Sequence, residues 1–291
     1  MLPVLLIFIS GFIFQRVFML DIKPISTMAM YLLLPFLVFK TFYQQPINQS
    51  FFYIVVTSII IMALLIVIGL IIAKLLHYNK KKTNAFLLAT VFANNGNYGV
   101  PVALFAFGQK GLAYAMPLMI FYTILMGVVG IYIAASGTSG VKTAFISVLK
   151  QPMNYAIIPG IIFQQMSLTM PSNLMKTVNM ISQTAIPVIM LVLGMQLANV
   201  MGKHIDWRSV GIVSIVRLII SPVIAYLICI PFHLSPLLQN IIVVMAAMPS
   251  AANTTIYAIQ YNTEPEFVSS ATLITTIVSI PTLTLLLNFV S

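Results

Sequence analysis

Acidic side chains are nearly missing from this sequence. Asp21, Asp206, Glu264 and Glu266 are the only four among 291 residues, and all fall between apolar runs. Ion pumps usually place a carboxylate at membrane depth. Proton coupling through a buried Asp or Glu is therefore disfavoured, and a cationic cargo would lack a counter-charge. Charged residues of either sign make up 6% of the chain, where soluble domains carry about 25%. Hydrophobic residues make up 60% and mean hydropathy is +1.07. The chain reads as a polytopic membrane protein with no stretch long or polar enough for a soluble domain.

Other absences narrow the function. The single cysteine, Cys229, permits no internal disulfide. His77, His204 and His233 each stand at the end of an apolar run with no second ligand nearby, which argues against zinc. No His-Glu-x-x-His, phosphate-cradling glycine loop or nucleophile–base group occurs, so no enzyme activity and no cofactor is expected. The net charge of +10 suggests nucleic acid at first sight, but the basic residues are spread over short connections and not gathered on one face. No basic segment precedes the first apolar run, and Arg16 follows it, so that run reads as a span and not as a cleavable signal.

Apolar runs of about 17–25 residues suffice to cross a bilayer. Ten occur, at about 2–20, 25–43, 51–75, 84–107, 112–135, 152–168, 180–201, 208–231, 236–260 and 267–290. Placing the N-terminus outside puts Arg16, Lys23, Lys74, Lys80, Lys81, Lys82, Lys142, Lys150, Lys203 and Arg208 in inner loops. Lys40, Lys110 and Lys176 then lie outside, and Arg217 falls within a span. The excess of inner cations supports this orientation, with the C-terminus outside as well.

The fourth run contains Asn94-Asn95-Gly96-Asn97-Tyr98-Gly99-Val100-Pro101. Glycine loosens a helix, and Pro101 leaves the carbonyl of Asn97 without its usual donor. Unpaired backbone at membrane depth survives where protein or a polar cavity satisfies it. The stretch predicts a broken helix whose free backbone groups and asparagines face a binding site. The plainer alternative is a kink with asparagines bonding neighbouring helices. Ten spans divide into two halves of five, residues 1–137 and 138–291, the second inverted. The ninth run supplies a matching break, Met248-Pro249-Ser250-Ala251-Ala252-Asn253-Thr254-Thr255, and a shift of 156 residues lays Asn97 on Asn253. Pro249 would free the carbonyl of Met245. Pro35 and Pro187 lie in the second and seventh runs.

Candidate substrate residues are Asn94, Asn95, Asn97, Asn253, Thr254 and Arg217. Gly96, Gly99, Pro101 and Pro249 allow the breaks. Half-helix N-termini suit anions. Arg217 either attracts the anion or bonds carbonyls of a broken neighbour, and Lys40 is expected to snorkel at its span end. Tyr98, Tyr122, Tyr257 and Tyr261 either line the site or pack.

At these residues the chain resembles the auxin efflux carrier family, including its bacterial malate and malonate permease-like members. The resemblance runs nearly end to end. Its most specific part is Asn94 to Pro101, supported by Lys150-Gln151-Pro152, Ala185-Ile186-Pro187 with Leu193-Gly194, Met248 to Asn253, and Thr275-Thr276 with Ser279 and Pro281. It implies an all-α membrane fold of ten transmembrane helices in two inverted five-helix repeats, with crossed, broken helices 4 and 9 at the substrate site. Spans one, two, six and seven would form a scaffold, and the other six a moving part. The connection of about fifteen residues at Ser136–Lys150 matches the compact bacterial form, which implies a multi-pass protein of the inner (cell) membrane. Plant members carry a charged support site near the third span, whereas Tyr53–Ala73 contains no charge. A small mono- or dicarboxylate is thus expected in preference to auxin. A homodimer is implied by the resemblance alone.

The expected function is secondary active transport of a small organic anion by alternating access. The alternative is a sodium-coupled organic anion symporter of bile-acid-symporter-like fold. The coupling ion, sodium or proton, stays open. A channel or membrane sensor would need pore-lining stripes or an output segment, and neither is visible.

Overall fold

Backbone groups in an apolar medium must find partners within the chain, and a helix supplies them locally. The computed structural model describes residues 2–45, 49–135, 146, 152–200 and 205–290, and among these every regular element is a helix. In chain order they are α1 (Leu2–Phe18), α2 (Ile22–Gln44), α3 (Gln49–Leu75), α4 (Lys80–Val91), α5 (95–107) and α6 (109–134). There follow α7 (Pro152–Gln165), α8 (Ser172–Val200), α9 (Trp207–Phe232), α10 (Pro236–Ala246), α11 (Ala252–Gln260) and α12 (Pro265–Val290). Gly108 turns the corner between α5 and α6 with φ 65° and ψ −155°, a conformation that favours glycine. Lys142, Lys150, Gln151, Lys203, His204 and the expected seam at 137–138 lie outside the described residues.

Six of the described helices are long and apolar enough to cross a membrane, against ten expected spans. The difference has local causes. The helix α1 has 17 residues and α7 has 14. The fourth and ninth runs are each cut into two short pieces. The second piece of the fourth joins the fifth across Gly108, forming one apolar stretch, Asn95–Ala134.

Two groups of helices pack within themselves. In the first, α1 lies on α8, and α2 lies on both α7 and α8. Gly11 and Gly194 make the α1–α8 approach possible: a Cβ on Gly194 would fall on the carbonyl of Phe8, and one on Gly11 on that of Leu191. Phe163 of α7 meets Phe39 and Tyr43 of α2 edge-on, with ring centroids at 6.1 and 6.3 Å. In the second group α3 packs on α4 and α9, α10 on the α5–α6 stretch and on α9, and α12 on α4, α9 and α11.

One end of the second group is tied by polar contacts. Lys82 pairs with Asp206 at 3.1 Å and with Glu264 at 3.3 Å, and its ammonium sits 3.7 Å from the centroid of the Phe267 ring. Asp206 also caps α9, accepting from the Ser209 N–H at 3.1 Å and the Ser209 hydroxyl at 2.7 Å. Partial burial pushes the Asp206 carboxyl up, but the Ser209 bonds and the Lys82 ammonium outweigh it and hold the group below the usual carboxylate range. Thr263 donates to the Ala134 carbonyl at 2.7 Å, joining the α11–α12 turn to the end of α6. The four acidic residues thus stand at helix ends: Asp21 caps α2, and Glu266 is in the first turn of α12.

Candidate functional site

Between α4 and α5 the chain runs extended at Phe92 and turns through Ala93 and Asn94, and between α10 and α11 it runs irregularly through residues 247–251. The two breaks meet. Ala93 and Ser250 form an antiparallel bridge, with Asn94 N–H donating to the Pro249 carbonyl at 2.8 Å and Ala251 N–H donating to the Phe92 carbonyl at 2.9 Å. The Ser250 hydroxyl adds a bond to the Ala89 carbonyl at 2.6 Å, and the Thr275 hydroxyl accepts from Ser250 N–H at 3.1 Å. Each break satisfies backbone groups that the other leaves open, so four short helices end at one crossing.

The first break lies earlier than Pro101 alone implies. Asn95–Gly99 forms a π turn, in which Val100 N–H reaches the Asn95 carbonyl. Pro101 follows two residues after that π turn, inside α5. In the second break the Met245 carbonyl is not free: it accepts from Met248 N–H at 3.3 Å. The carbonyls left open are those of Ala246 and Met248.

Arg217 takes them. It lies on a π turn of α9, Val216–Ile220, and is 1% exposed. Its Nε donates to Met248 O at 3.0 Å, Nη1 to Thr90 O and Val91 O at 2.9 and 3.1 Å, and Nη2 to Ala246 O at 2.6 Å and the Ser221 hydroxyl at 3.1 Å. The ends of α4 and α10 carry the partial negative charge of their last carbonyls. A single guanidinium therefore bonds both, with no carboxylate present.

The opposite polarity faces a cavity. The first turns of α5 and α11 line a narrow space of about 40 Å³, with Asn94, Asn95, Gly96, Asn97, Pro101 and Asn253 in its wall. Asn94 and Asn95 are 4% and 3% exposed, and Asn94 Nδ2, Asn95 Nδ2 and Asn95 Oδ1 have no hydrogen-bond partner. A buried polar group without a partner costs about 1–3 kcal/mol. Tyr122 of α6, named from sequence as lining or packing, is in the wall, and the sequence reading did not name the residues beside it: Met30, Leu34 and Leu37 of α2, Met119, Thr123 and Met126 of α6, and Ile186 and Ile189 of α8. Pro35 and Pro187, each one residue from a wall residue, were the available signal.

The other candidates are placed as follows. Arg217 and Thr254 are not in this wall; the Thr254 hydroxyl turns back to the Ala251 carbonyl at 2.7 Å. Gly99 faces the Met245 sulfur, where a Cβ would come within 2.7 Å, and Pro249 sits in the crossing itself. Tyr98 is fully buried, accepts from the Ser279 hydroxyl at 3.1 Å and packs 5.0 Å from Phe8.

Two wider cavities adjoin the crossing. One of about 440 Å³ shares Leu37 and Ile186 with the narrow space and carries Lys40 in its wall, so Lys40 faces a cavity where snorkelling at the span end was expected. The other, of about 230 Å³, is reached by Asn97 and Asn253 and carries Lys23 and Gln196.

The model of the family described as membrane transport protein matches residues 1–144 and 138–287 of the chain. An uncharacterized transporter of Methanocaldococcus jannaschii is 30% identical over 208 residues, covering 69% of this chain and 66% of its own. An uncharacterized transporter of Methanothermobacter thermautotrophicus is 31% identical over 210 residues, covering 70% and 67%. A Rhizobium meliloti protein whose name proposes malonate transport is 26% identical over 213 residues, covering 69% and 65%. The chain thus spans about two thirds of the length of these relatives.

Proposed function

The chain belongs to the membrane transport protein family, that of the auxin efflux carriers, and we propose that it is a secondary transporter of small organic anions. The observation that carries this reading is the sorting of charge at the crossing. The carbonyl ends of α4 and α10 are consumed by Arg217, while the N-terminal turns of α5 and α11 and the unpartnered amides of Asn94 and Asn95 border a cavity. That cavity offers N–H dipoles and amide donors, which suit a carboxylate. Malonate, named for the Rhizobium meliloti relative, is the first substrate to try.

In this reading the chain has ten spans in two inverted halves, with α4–α5 and α10–α11 as broken helices 4 and 9. The order of short helix, break, short helix and long helix in both halves supports it. The first packing group is the scaffold, and the second moves against it in alternating access. Both termini lie outside the cell membrane, with Lys82 at the inner end. Asn97 and Asn253 reach the cavity on the Lys23 side as well as the crossing, so the cargo would pass between them. Arg217 positions the two breaks.

The test is solid-supported-membrane current and counterflow with reconstituted protein and pulses of malonate, malate, succinate and an aromatic weak acid. Saturable, substrate-selective transport that is lost in Asn97→Ala supports the reading. Wild-type uptake by a well-folded Asn97→Ala protein overturns the site. Absence of both current and counterflow for every anion overturns the class. Repeats without sodium and with a pH step assign the coupling ion.

A further inference from the structure

Lys40 occupies a distinctive place. It lines the 440 Å³ cavity from α2, half-buried, three residues beyond Leu37, about 4.5 Å along the axis. Leu37 belongs to both that cavity and the narrow space at the crossing, so the two volumes share a wall. The polar neighbours of Lys40 there are uncharged, among them Gln44, Gln109, Ser182 and Gln183. The adjoining cavity of about 530 Å³ adds Lys110 and no acid. All four acidic residues of the chain stand elsewhere, Asp21 at the far end of α2 itself. Among the described residues no carboxylate pairs with Lys40.

The sizes of the two spaces matter. A volume of about 40 Å³ at the crossing holds a few waters. The neighbouring 440 Å³ falls within the range of small-ligand pockets. A small diacid fits the wider space whole, beside the wall it shares with the crossing.

We infer that Lys40 is a specificity-determining residue that holds the trailing carboxylate of a dicarboxylate while the leading one meets Asn94, Asn95 and the α5 and α11 N-termini. This rests on the anion-transport reading above and narrows it to dianions. A monocarboxylate satisfies the crossing but leaves the ammonium of Lys40 without an anion. A dicarboxylate satisfies both. A charge-assisted bond of this kind discriminates by about ten- to a hundredfold.

The experiment uses the full chain in liposomes and measures uptake of labelled malonate, with unlabelled malonate, succinate, acetate and lactate as competitors. Wild type, Lys40→Met, Lys40→Arg and, as a control on the adjoining cavity, Lys110→Met are compared. We expect Lys40→Met to raise the malonate half-saturation concentration about ten- to a hundredfold while monocarboxylate competition is unchanged. Lys40→Arg should restore the preference and Lys110→Met should keep it. Lys40→Gln, neutral and polar, reports the same loss should the methionine variant fail to purify as a single species. A Lys40→Met or Lys40→Gln protein with the wild-type preference for dicarboxylates overturns the inference and leaves anion transport standing. Wild type that carries monocarboxylates alone overturns it too. Wild type that carries no carboxylate overturns both readings together.

Discussion

Asn94 donates its backbone N–H to the carbonyl of Pro249 across 2.8 Å, joining two helix breaks that are far apart in sequence. Proline cannot donate, and its position lets its carbonyl serve the other chain segment. In return the Phe92 carbonyl accepts from the Ala251 N–H at 2.9 Å. The crossing is a single antiparallel bridge inside a helical protein, and it gives the half-helices opposite faces: carbonyl ends toward Arg217, N–H ends toward the cavity.

Arg217 is therefore expected to be needed for the fold ahead of any role in transport. Arg217→Met leaves the carbonyls of Thr90, Val91 and Met248 without the donor they share at a buried site, and leaves Ala246 with the Ser221 hydroxyl alone. Each unsatisfied group costs about 1–3 kcal/mol. Arg217→Lys keeps a charge but not the planar fork, and should lie between the two. Thermal melting by fluorescence-detected size exclusion should rank wild type above lysine above methionine. A methionine variant melting with wild type would remove the structural role.

Asn95 should behave in the opposite way. Both of its side-chain polar atoms are buried without a partner, so Asn95→Ala removes no hydrogen bond and relieves an unpaired amide. Melting should be unchanged or slightly higher, while malonate uptake falls at least about tenfold, the loss expected for one neutral-to-charged hydrogen bond. Reduced stability with normal uptake would place Asn95 among the packing residues.

How much of this was legible beforehand follows from what local sequence encodes. The cluster from Asn94 to Pro101 and the run from Met248 to Thr255 announced two costly breaks, because glycine, proline and asparagine are penalised wherever they fall in an apolar helix. The place of each break was not legible. It depends on pairing between Ala93 and Ser250, a contact of high sequence separation. Nor were the π turns at Ala29–Leu33, Asn95–Gly99, Met126–Gly130 and Val216–Ile220, which no residue type signals. Each supplies a residue to the crossing or its cavity: Met30, Asn95, Met126 and Arg217. A lysine near a span end reads as a snorkel from sequence, and only the packing of α2 against α6 and α8 gives Lys40 a cavity to face.

The contact between α1 and α8 can be tested with two glycines of opposite surroundings. A Cβ on Gly194 would collide with the Phe8 backbone, whereas one on Gly211 of α9 meets nothing within 4 Å. Gly194→Ala should lower stability by about 1–3 kcal/mol, as overpacking does. Gly211→Ala should raise it by up to about 1 kcal/mol through helix propensity alone. The pair is read by thermal melting in the same detergent, and equal shifts would show that α1 and α8 do not depend on this close approach.

The Lys82 cluster gives a pH signature with a definite sign. The folded state holds the Asp206 carboxyl below its usual range, through Ser209 and Lys82 against the opposing effect of burial. A group depressed in this way contributes stability above its unfolded pKa, about 3.9, and loses it as pH falls through the lower folded value. Asp206 is 45% exposed, so solvent screens the pair and the contribution stays below about 1 kcal/mol. Asp206→Asn should melt below wild type by a constant margin from about pH 8 to pH 5, and the margin should close below about pH 4. High salt should shrink it as well, since the ion pair is partly open to water. A margin that persists unchanged at pH 3 would show that the charge of the Asp206 carboxylate, in its bonds to Ser209 as in its pairing with Lys82, is not its source.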